Sequence, residues 1–345
     1  MTTRGTNERV LASTENARPI ASRPVLIAGA DRSGTTLLYA LLASHPNISM
    51  FRRSNMFRYF NGHYGDLSDP ANLDRCLGEM LRYKRLRALE PDEEAIRREF
   101  ALGPATYGRL FDLLHAQHAQ RVGRSRWGDK SLHTELYADA VFAELPEARI
   151  IQMIRDPRDR YASVRKRRPE SSANLGRGVG RWIDSTRAGL RNVAAHPDRY
   201  LIVRFEDLVH DPETTAREVC RFVDEPYEPR MLTMEETPEH RDRGNSSFGD
   251  IAPGTISTKA VGRYRDVLSP TEVRLIQSLA AREMTRVGYE VVPVPLAGWR
   301  RLRYGVWDRP KAAGRVVAWR ALARVIRRRG ESVPSSRLAA TTEDP

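Results

Sequence analysis

The 345-residue sequence predicts an α/β fold of three layers, a central parallel sheet flanked by helices, with a basic helical tail at the C-terminal end. Three observations carry this. Short apolar runs at 24–29, 149–154 and 200–205 suit buried strands. Helical patterns separate those runs, so the strands need crossover connections and lie parallel. Beyond residue 299 the composition turns basic: residues 300–345 hold twelve basic and four acidic side chains, which is +8 of the net +13.

Residues 1–23 are polar, without the apolar segment of a secretory signal, and are expected to form a flexible leader. Pro24–Gly29 is the first strand, and Thr35–Ser44 a helix stopped by His45-Pro46. Residues 47–123 show no strong strand signal. They read as an aromatic, basic stretch from Met50 to Tyr64, then helices around 72–90 and 92–121. Arg126–Lys130 reads as a strand end and Thr134–Leu145 as a helix. After the strand Arg149–Ile154, Asp156 suits a helix N-cap and Pro157 the first helical position. Helices over 177–195 and 213–223 flank the strand at Tyr200–Phe205. Residues 228–260 are irregular, and Pro270–Val287 closes the body as a helix. The expected division is a leader over 1–23, one domain over 24–298, the tail over 299–330 and a disordered end over 331–345.

Composition excludes several classes. With 40% hydrophobic and 29% charged residues, wholesale disorder is ruled out. No apolar run reaches the ~18 residues of a membrane span. Cys76 and Cys220 make neither a disulfide framework nor a zinc site, which fits a reducing cytoplasm. The body carries only +5, so a nucleic-acid partner is not expected. Five lysines stand against 52 arginines, a skew that fits a GC-rich bacterial genome and singles out any lysine in a motif-like setting.

Gly29-Ala-Asp-Arg-Ser-Gly-Thr-Thr36 follows a strand and opens a helix, with the spacing of a phosphate-binding P-loop. A turn of this kind aims backbone N–H groups and the positive helix end at an anion. The expected lysine is replaced by Thr35, and the cation sits at Arg32 instead. A γ-phosphate with magnesium would lose its main clamp; a shorter phosphate group would not. A plain strand–turn–helix is the other reading. The segment Arg155-Asp-Pro-Arg-Asp-Arg-Tyr-Ala-Ser163 sets a second cation at a strand end, where ligands of open parallel sheets bind. Arg155, Ser163 and Arg167 make a candidate phosphate grip. Arg158, Arg160, Arg165 and Arg168 are expected to be solvated.

Together, Arg32-Ser-Gly-Thr-Thr36, Asp129-Lys130-Ser131, Arg155-Asp-Pro-Arg-Asp with Ser163, and Phe205-Glu-Asp-Leu-Val209 resemble the PAPS-dependent sulfotransferases, over roughly residues 24–290. The likeness is nearer the bacterial and tyrosylprotein-sulfating branch than the phenol-sulfating one. It implies a P-loop-like fold and a donor, 3′-phosphoadenosine 5′-phosphosulfate (PAPS). It also implies transfer of the donor's sulfonate to a hydroxyl or amine of a small-molecule, carbohydrate or lipid acceptor, without a metal. By the same resemblance Arg32, Ser33, Gly34, Thr35 and Thr36 would bind the 5′-phosphosulfate, and Arg155 and Ser163 the 3′-phosphate with help from Arg167. Ser257, Lys259 and Arg263 lie in a segment similar to one that closes over the donor. Lys130 stands where the family keeps a catalytic lysine, unless it only pairs with Asp129. Arg32 would share its electrostatic role.

The chain departs from that pattern at the base. Many relatives carry a glutamate about seven residues after the His-Pro pair, where this chain has Arg53. His133, one helical turn beyond Lys130, is the leading replacement, since imidazole accepts protons near neutral pH; His63 stands behind it. Arg52, Arg53 and Arg58, among Phe51, Phe57, Tyr59 and Phe60, suit an anionic or sugar-like acceptor, or else simple core packing. In the tail, Val316, Trp319, Ala323 and Ile326 recur at helical spacing with arginines outside them. Such a helix would lie on an anionic membrane at the inner face, or pack on its own domain or on a second copy in a homodimer. Two rival readings are a P-loop kinase, which needs a loop lysine and a magnesium carboxylate, and a non-catalytic membrane-associated protein on the same fold.

Overall fold

The computed structural model describes residues 23–167, 175–244, 246–329 and 331–338. The expected leader, apart from Arg23, and the last seven residues lie outside the described residues. Five parallel strands form one sheet: β1 (Val25–Ala28), β2 (Ile48–Arg52), β3 (Arg126–Lys130), β4 (Arg149–Ile154) and β5 (Tyr200–Arg204), in the order β2-β3-β1-β4-β5. Ile27 stands between Lys130 and Ile151 in register, and Arg52 lies opposite Lys130. The chain leaves central β1 for one edge and later returns through β4 to the other. That opens a crevice at the strands' carboxyl ends.

β2 is a strand where none was expected. It is a five-residue edge strand whose Ile48 and Met50 are buried and whose Ser49, Phe51 and Arg52 are half-exposed, too short and mixed for a buried-run signal.

Helix α1 (Thr35–Ala43) follows β1, and α2 (Met56–Tyr59) follows β2. Between them and β3 lie α3 (Pro70–Arg82), α4 (Lys84–Arg87), α5 (Glu93–Phe100) and α6 (Tyr107–Arg121). Asp69, Asp92 and Thr106 cap α3, α5 and α6 by accepting backbone N–H groups. The expected helix 72–90 breaks at Tyr83, which turns extended (ψ 112) while its hydroxyl donates to Arg53 O. The expected helix 92–121 breaks around Gly103-Pro104.

After β3 the chain makes a turn before α7 (Ala138–Glu144), so the helix expected from Thr134 starts four residues late. Helix α8 (Pro157–Arg167) opens as expected, with Asp156 Oδ1 accepting Arg158 N at 2.8 Å. Then come α9 (Leu175–Ala195), α10 (Phe205–His210), α11 (Pro212–Phe222), α12 (Pro238–Arg243), α13 (Tyr264–Val267) and α14 (Pro270–Arg286). Ser269 and Glu272 cap α14 reciprocally. The tail forms α15 (Gly298–Arg303), a π turn at Tyr304–Asp308, and α16 (Arg309–Arg329).

Each sheet face buries its own cluster. Leu26 and Ile150 join Trp127, Phe111 and Leu114 on one side; Val25, Ile27 and Ile151 join Leu38 and Leu41 on the other. Each such side chain contributes about 1.5–3 kcal/mol by leaving water.

The tail's inner face packs on the body. A Cβ at Gly176 would stand 2.7 Å from Ala312 O, and one at Gly180 3.0 Å from Trp319 Cδ1, so α9 and α16 touch nearly backbone to backbone. Arg320 pairs with Asp184 at 2.7 Å, and Val316 and Ala323 are buried. The outer face leaves Trp299, Leu302, Val306 and Trp307 exposed.

Residues 331–338, expected to be disordered, pack instead. Glu331 pairs with Arg58, Val333 is buried, Arg337 donates to Tyr59 Oη at 2.9 Å, and Leu338 bridges to Tyr83. Two arginines expected in solvent are also buried: Arg158 pairs with Asp156 and Gln277, and Arg160 with Asp31. Arg165 pairs with Glu272, and Arg168 lies outside the described residues. Among the described residues no helix is long and apolar enough to cross a membrane.

Candidate active site

Four strand ends meet in one crevice. β1 feeds the turn 29–34 into α1, β3 ends on Lys130, and β4 and β5 lead into Arg155 and Phe205. Two glycines make the turn possible. Gly29 has φ 126 and a Cβ there would stand 2.5 Å from Met153 O; Gly34 has φ 91 and a Cβ there would stand 2.5 Å from the Phe205 ring. The first i→i−4 bond of α1 runs from Leu38 N to Gly34 O, which leaves the amides of Gly34, Thr35 and Thr36 at the helix mouth. A helix mouth of this kind suits an anion by geometry and by dipole.

A first cavity of about 340 Å³ surrounds the turn, lined by Arg32, Gly34, Thr35, Thr36, Arg155 and Ser163 among others. Arg32 Nε donates to Ser163 Oγ (3.1 Å), its Nη2 donates to Ser247 Oγ (2.8 Å), and its carbonyl accepts from Arg155 Nη1 (3.3 Å). Arg155 is 5% exposed, stacks 4.5 Å from the Phe205 ring centroid and donates to Ala260 O. Burial pushes its guanidinium below the ordinary value, against the pull of Asp159, Glu206 and Asp156. Arg155 Nε, in this lining, and Ser33 Oγ, which is buried in the turn and lines neither cavity, have no hydrogen-bond partner among the described residues. Phosphate oxygens are the kind of acceptor that buried donors of this type require.

A second cavity, about 690 Å³, shares Arg32, Thr35 and Thr36 with the first. Lys130 lines only the second, and its Nζ donates to Thr36 Oγ1 at 3.3 Å. Burial, then the charges of Arg53 and Arg52, lower the Lys130 pKa to about 8. The alternative partner, Asp129, is engaged elsewhere. It accepts from Ser131 Oγ (2.6 Å) and Ser54 N (3.3 Å), in keeping with the alternation of neighbours along a strand.

His133 also lines the second cavity, though not by sharing a helical face with Lys130 as expected. It sits in a turn with left-handed φ 67. Its Nδ1 lies 3.4 Å from Glu135 Oε1. Glu135 is 1% exposed; Oε1 also accepts from Ser185 Oγ, and Oε2 accepts Gly29 N. Burial alone would raise this carboxyl, but the hydrogen bond and charge of His133, with Ser185, hold it below its ordinary value. With Nδ1 committed to a carboxylate, Nε2 is the atom available to take a proton.

The remaining candidates divide. Ser257 lines the first cavity. Lys259 lines neither cavity, and its backbone N donates to Ser257 Oγ. Arg263 pairs with Asp250 at 3.0 Å and stacks on Phe248, so it anchors the loop over the first cavity from outside. Arg167 lines the second cavity and does not join Ser163 in the first. His63 is exposed and lines neither. Arg53 and Arg58 line the second cavity, while Phe57, Tyr59 and Phe60 are core and Arg52 stacks on Tyr39.

Sequence reasoning missed Glu135, the wall formed by Arg177, Arg181 and Trp319, His240 on α12, and the loop after α12 that carries Ser247 and Phe248 over the first cavity. Two of these left a readable signal: Trp319 recurs at helical spacing in the tail, and the loop holds the polar Ser246-Ser247 pair between glycines.

Comparisons with known proteins agree with this architecture. A model of the sulfotransferase family matches residues 24–229. Carbohydrate sulfotransferase 2 of Homo sapiens is 32% identical over 98 residues, which is 28% of this chain and 18% of that protein, so the chain spans under a fifth of that relative. The sulfotransferase domain of the Synechococcus PCC 7002 olefin synthase superposes with TM-score 0.52 and 19% identity, over 79% of this chain and 97% of that one. The sulfotransferase domain from the curacin biosynthetic pathway gives 0.53 and 17%, over 79% and 99%. At these identities the two structures share the fold.

Proposed function

Because the chain belongs to the sulfotransferase family, we propose that it moves the sulfonate of PAPS to a hydroxyl or amine of an acceptor in the second cavity. The observation that carries this reading is the junction: the two cavities share Arg32, Thr35 and Thr36, with Lys130 beside them. A donor in the first cavity and an acceptor in the second would meet only there.

The unpartnered Arg155 Nε, on a residue that lines the first cavity, and the open amides at the mouth of α1 fit a donor with phosphates at both ends. Arg32 to Thr36 would hold its 5′ side, and Arg155 with Ser163 its 3′-phosphate. The donor supplies an activated sulfonate on a phosphate leaving group. The chain's own part is position and fixed charge. Lys130 and Arg32 place cations at the junction, and the amides at the mouth of α1 add partial charge without reorganising. His133 Nε2 takes the acceptor's proton, while Glu135 fixes the ring and favours the imidazolium that forms. Ser247, bonded to both Arg32 and Ser163, would hold the loop after α12 against the donor's phosphate groups.

The exposed Trp299, Leu302, Val306 and Trp307, flanked by Arg300, Arg301, Arg303 and Lys311, would rest on an anionic lipid surface. The protein would then work as a peripheral enzyme.

Calorimetric titration tests the donor assignment. Adenosine 3′,5′-bisphosphate (PAP) should bind at least about tenfold tighter than AMP, with EDTA present. Equal affinities would overturn the assignment, and a strict magnesium requirement would favour a kinase.

A further inference from the structure

We infer that the acceptor is an anionic amphiphile: it carries a fixed negative charge near the reacting hydroxyl, and its apolar part lies along α16. This rests on the sulfotransferase reading and names the acceptor class for the same site.

The charge lining the second cavity exceeds what a donor uses at the junction. Beyond Arg32 and Lys130, the wall carries Arg53, Arg58, Arg167, Arg177, Arg181 and Arg337. These come from the end of β2, α2, α8, α9 and the C-terminal segment, so five separate parts of the chain direct cations at one space. Among the described residues the carboxylates on that wall are Asp31, Asp184 and Glu331. Each is in an ion pair, with Arg160, Arg320 and Arg58 respectively. Two of those three arginines lie outside the lining, so the lining stays strongly positive.

Such crowding opposes folding, since like charges in a half-enclosed space repel. Its trace is visible in two groups. Lys130 is lowered by burial and then by Arg53 and Arg52, and Arg181 is lowered by burial and then by Arg177. An incoming anion relieves the repulsion, and arginine forks bind carboxylate, phosphate or sulfate oxygens in pairs.

The opposite wall is apolar. Trp319, Leu322, Ala323 and Ile326 stand on one face of α16 at helical spacing and line the cavity, with Leu132 and Leu136 nearby. Arg177 and Arg181 both stack on the Trp319 ring, at 4.5 and 4.7 Å, so the cationic and apolar walls join at that residue. Leu322 is 53% exposed, which carries the apolar strip from the cavity to the surface of the tail. A small, fully charged acceptor would leave this strip wet, and a neutral lipid would bring no counter-charge to a lining whose described side chains are net positive. A hydroxylated headgroup with one negative charge and one alkyl chain matches both walls.

Three probes test this on the full chain saturated with PAP: octyl glucuronide, octyl glucoside and free glucuronate, each below its micelle threshold. Calorimetry should show the glucuronide binding at least about tenfold tighter than either of the others. The double variant Arg177→Gln/Arg181→Gln should remove most of the advantage over the glucoside. Leu322→Asp, at a half-exposed site that tolerates charge, should remove most of the advantage over glucuronate. A glucoside that binds as tightly as the glucuronide overturns the charge claim, and a glucuronate that does so overturns the amphiphile claim. These failures are separate from that of the parent reading. If PAP itself does not bind, the sulfotransferase assignment falls, and the same probes on the nucleotide-free protein still report on the cavity.

Discussion

His133 Nδ1 lies 3.4 Å from Glu135 Oε1, and the other oxygen of the same carboxylate accepts the Gly29 amide at 2.8 Å. One buried acid therefore ties a histidine of the second cavity to the first residue of the turn 29–34. Glu135→Gln keeps the shape and removes the charge. The expected result is a turnover lowered by about 10- to 100-fold, with PAP affinity within about threefold of the parent. A Glu135 that only supports the turn would instead weaken PAP binding along with the rate. His133→Ala should lose about 10²–10⁴ of the rate.

Lys130 gives the account a pH dependence at the other end. Its pKa in the free protein, about 8, is below the ordinary lysine value because burial and Arg53 and Arg52 disfavour the charge. The proton therefore leaves as pH rises through about 8, and the cation at the junction goes with it. kcat/KM for PAPS should fall above that pH. Lys130→Arg should be slower but should lose this limb, since guanidinium stays charged. A limb that persists in the variant would assign it to another group.

Arg155 is the buried reader of the 3′-phosphate in this account. One hydrogen bond to a charged group contributes about 1.5–3 kcal/mol. Arg155→Ala should thus weaken PAP binding by roughly 10- to 150-fold and leave AMP binding nearly unchanged. An equal loss for both nucleotides would mean that Arg155 only supports the loop.

The sequence made much of this frame readable, for reasons that differ by element. Val25–Ala28 and Arg149–Ile154 are buried on both faces, so they stand out as apolar runs. Ile48–Arg52 is an edge strand and does not. The phosphate turn was legible because backbone geometry dictates glycine at 29 and 34. Glu135 was not, since residues two apart on the expected helix do not face each other, and it is the left-handed turn at His133 that lets the pair meet. Arg160 looked solvated because its partner, Asp31, is distant in the chain, and Arg158 did so although Asp156 is two residues away, because Gln277, its other partner, is distant. The tail showed two faces, but only the fold reveals that Gly176 and Gly180 let one of them seat on α9.

That seating gives a further prediction. Ala312 O and Arg315 Cβ each lie 2.7 Å from the point a Cβ at Gly176 would occupy, so Gly176→Leu would drive its side chain into both. α16 should lift, so octyl glucuronide binding should weaken by about tenfold or more while PAP binding holds. Trp299→Ser/Trp307→Ser should do the reverse: both ligands bind normally, and attachment to phosphatidylserine vesicles weakens. Unchanged vesicle binding would remove the lipid-surface proposal.

The most direct measurement is the release of PAP from PAPS by the parent chain and by Lys130→Ala, with PAP affinity measured on both. Water can serve as the acceptor, so the test does not depend on acceptor identity. The expected result is near-normal PAP affinity in the variant and release slowed by about 10²–10³, the usual loss when one charge-stabilising donor is removed. Measurable release that is unchanged in Lys130→Ala would contradict the claim that sulfonate transfer occurs at the junction of the two cavities.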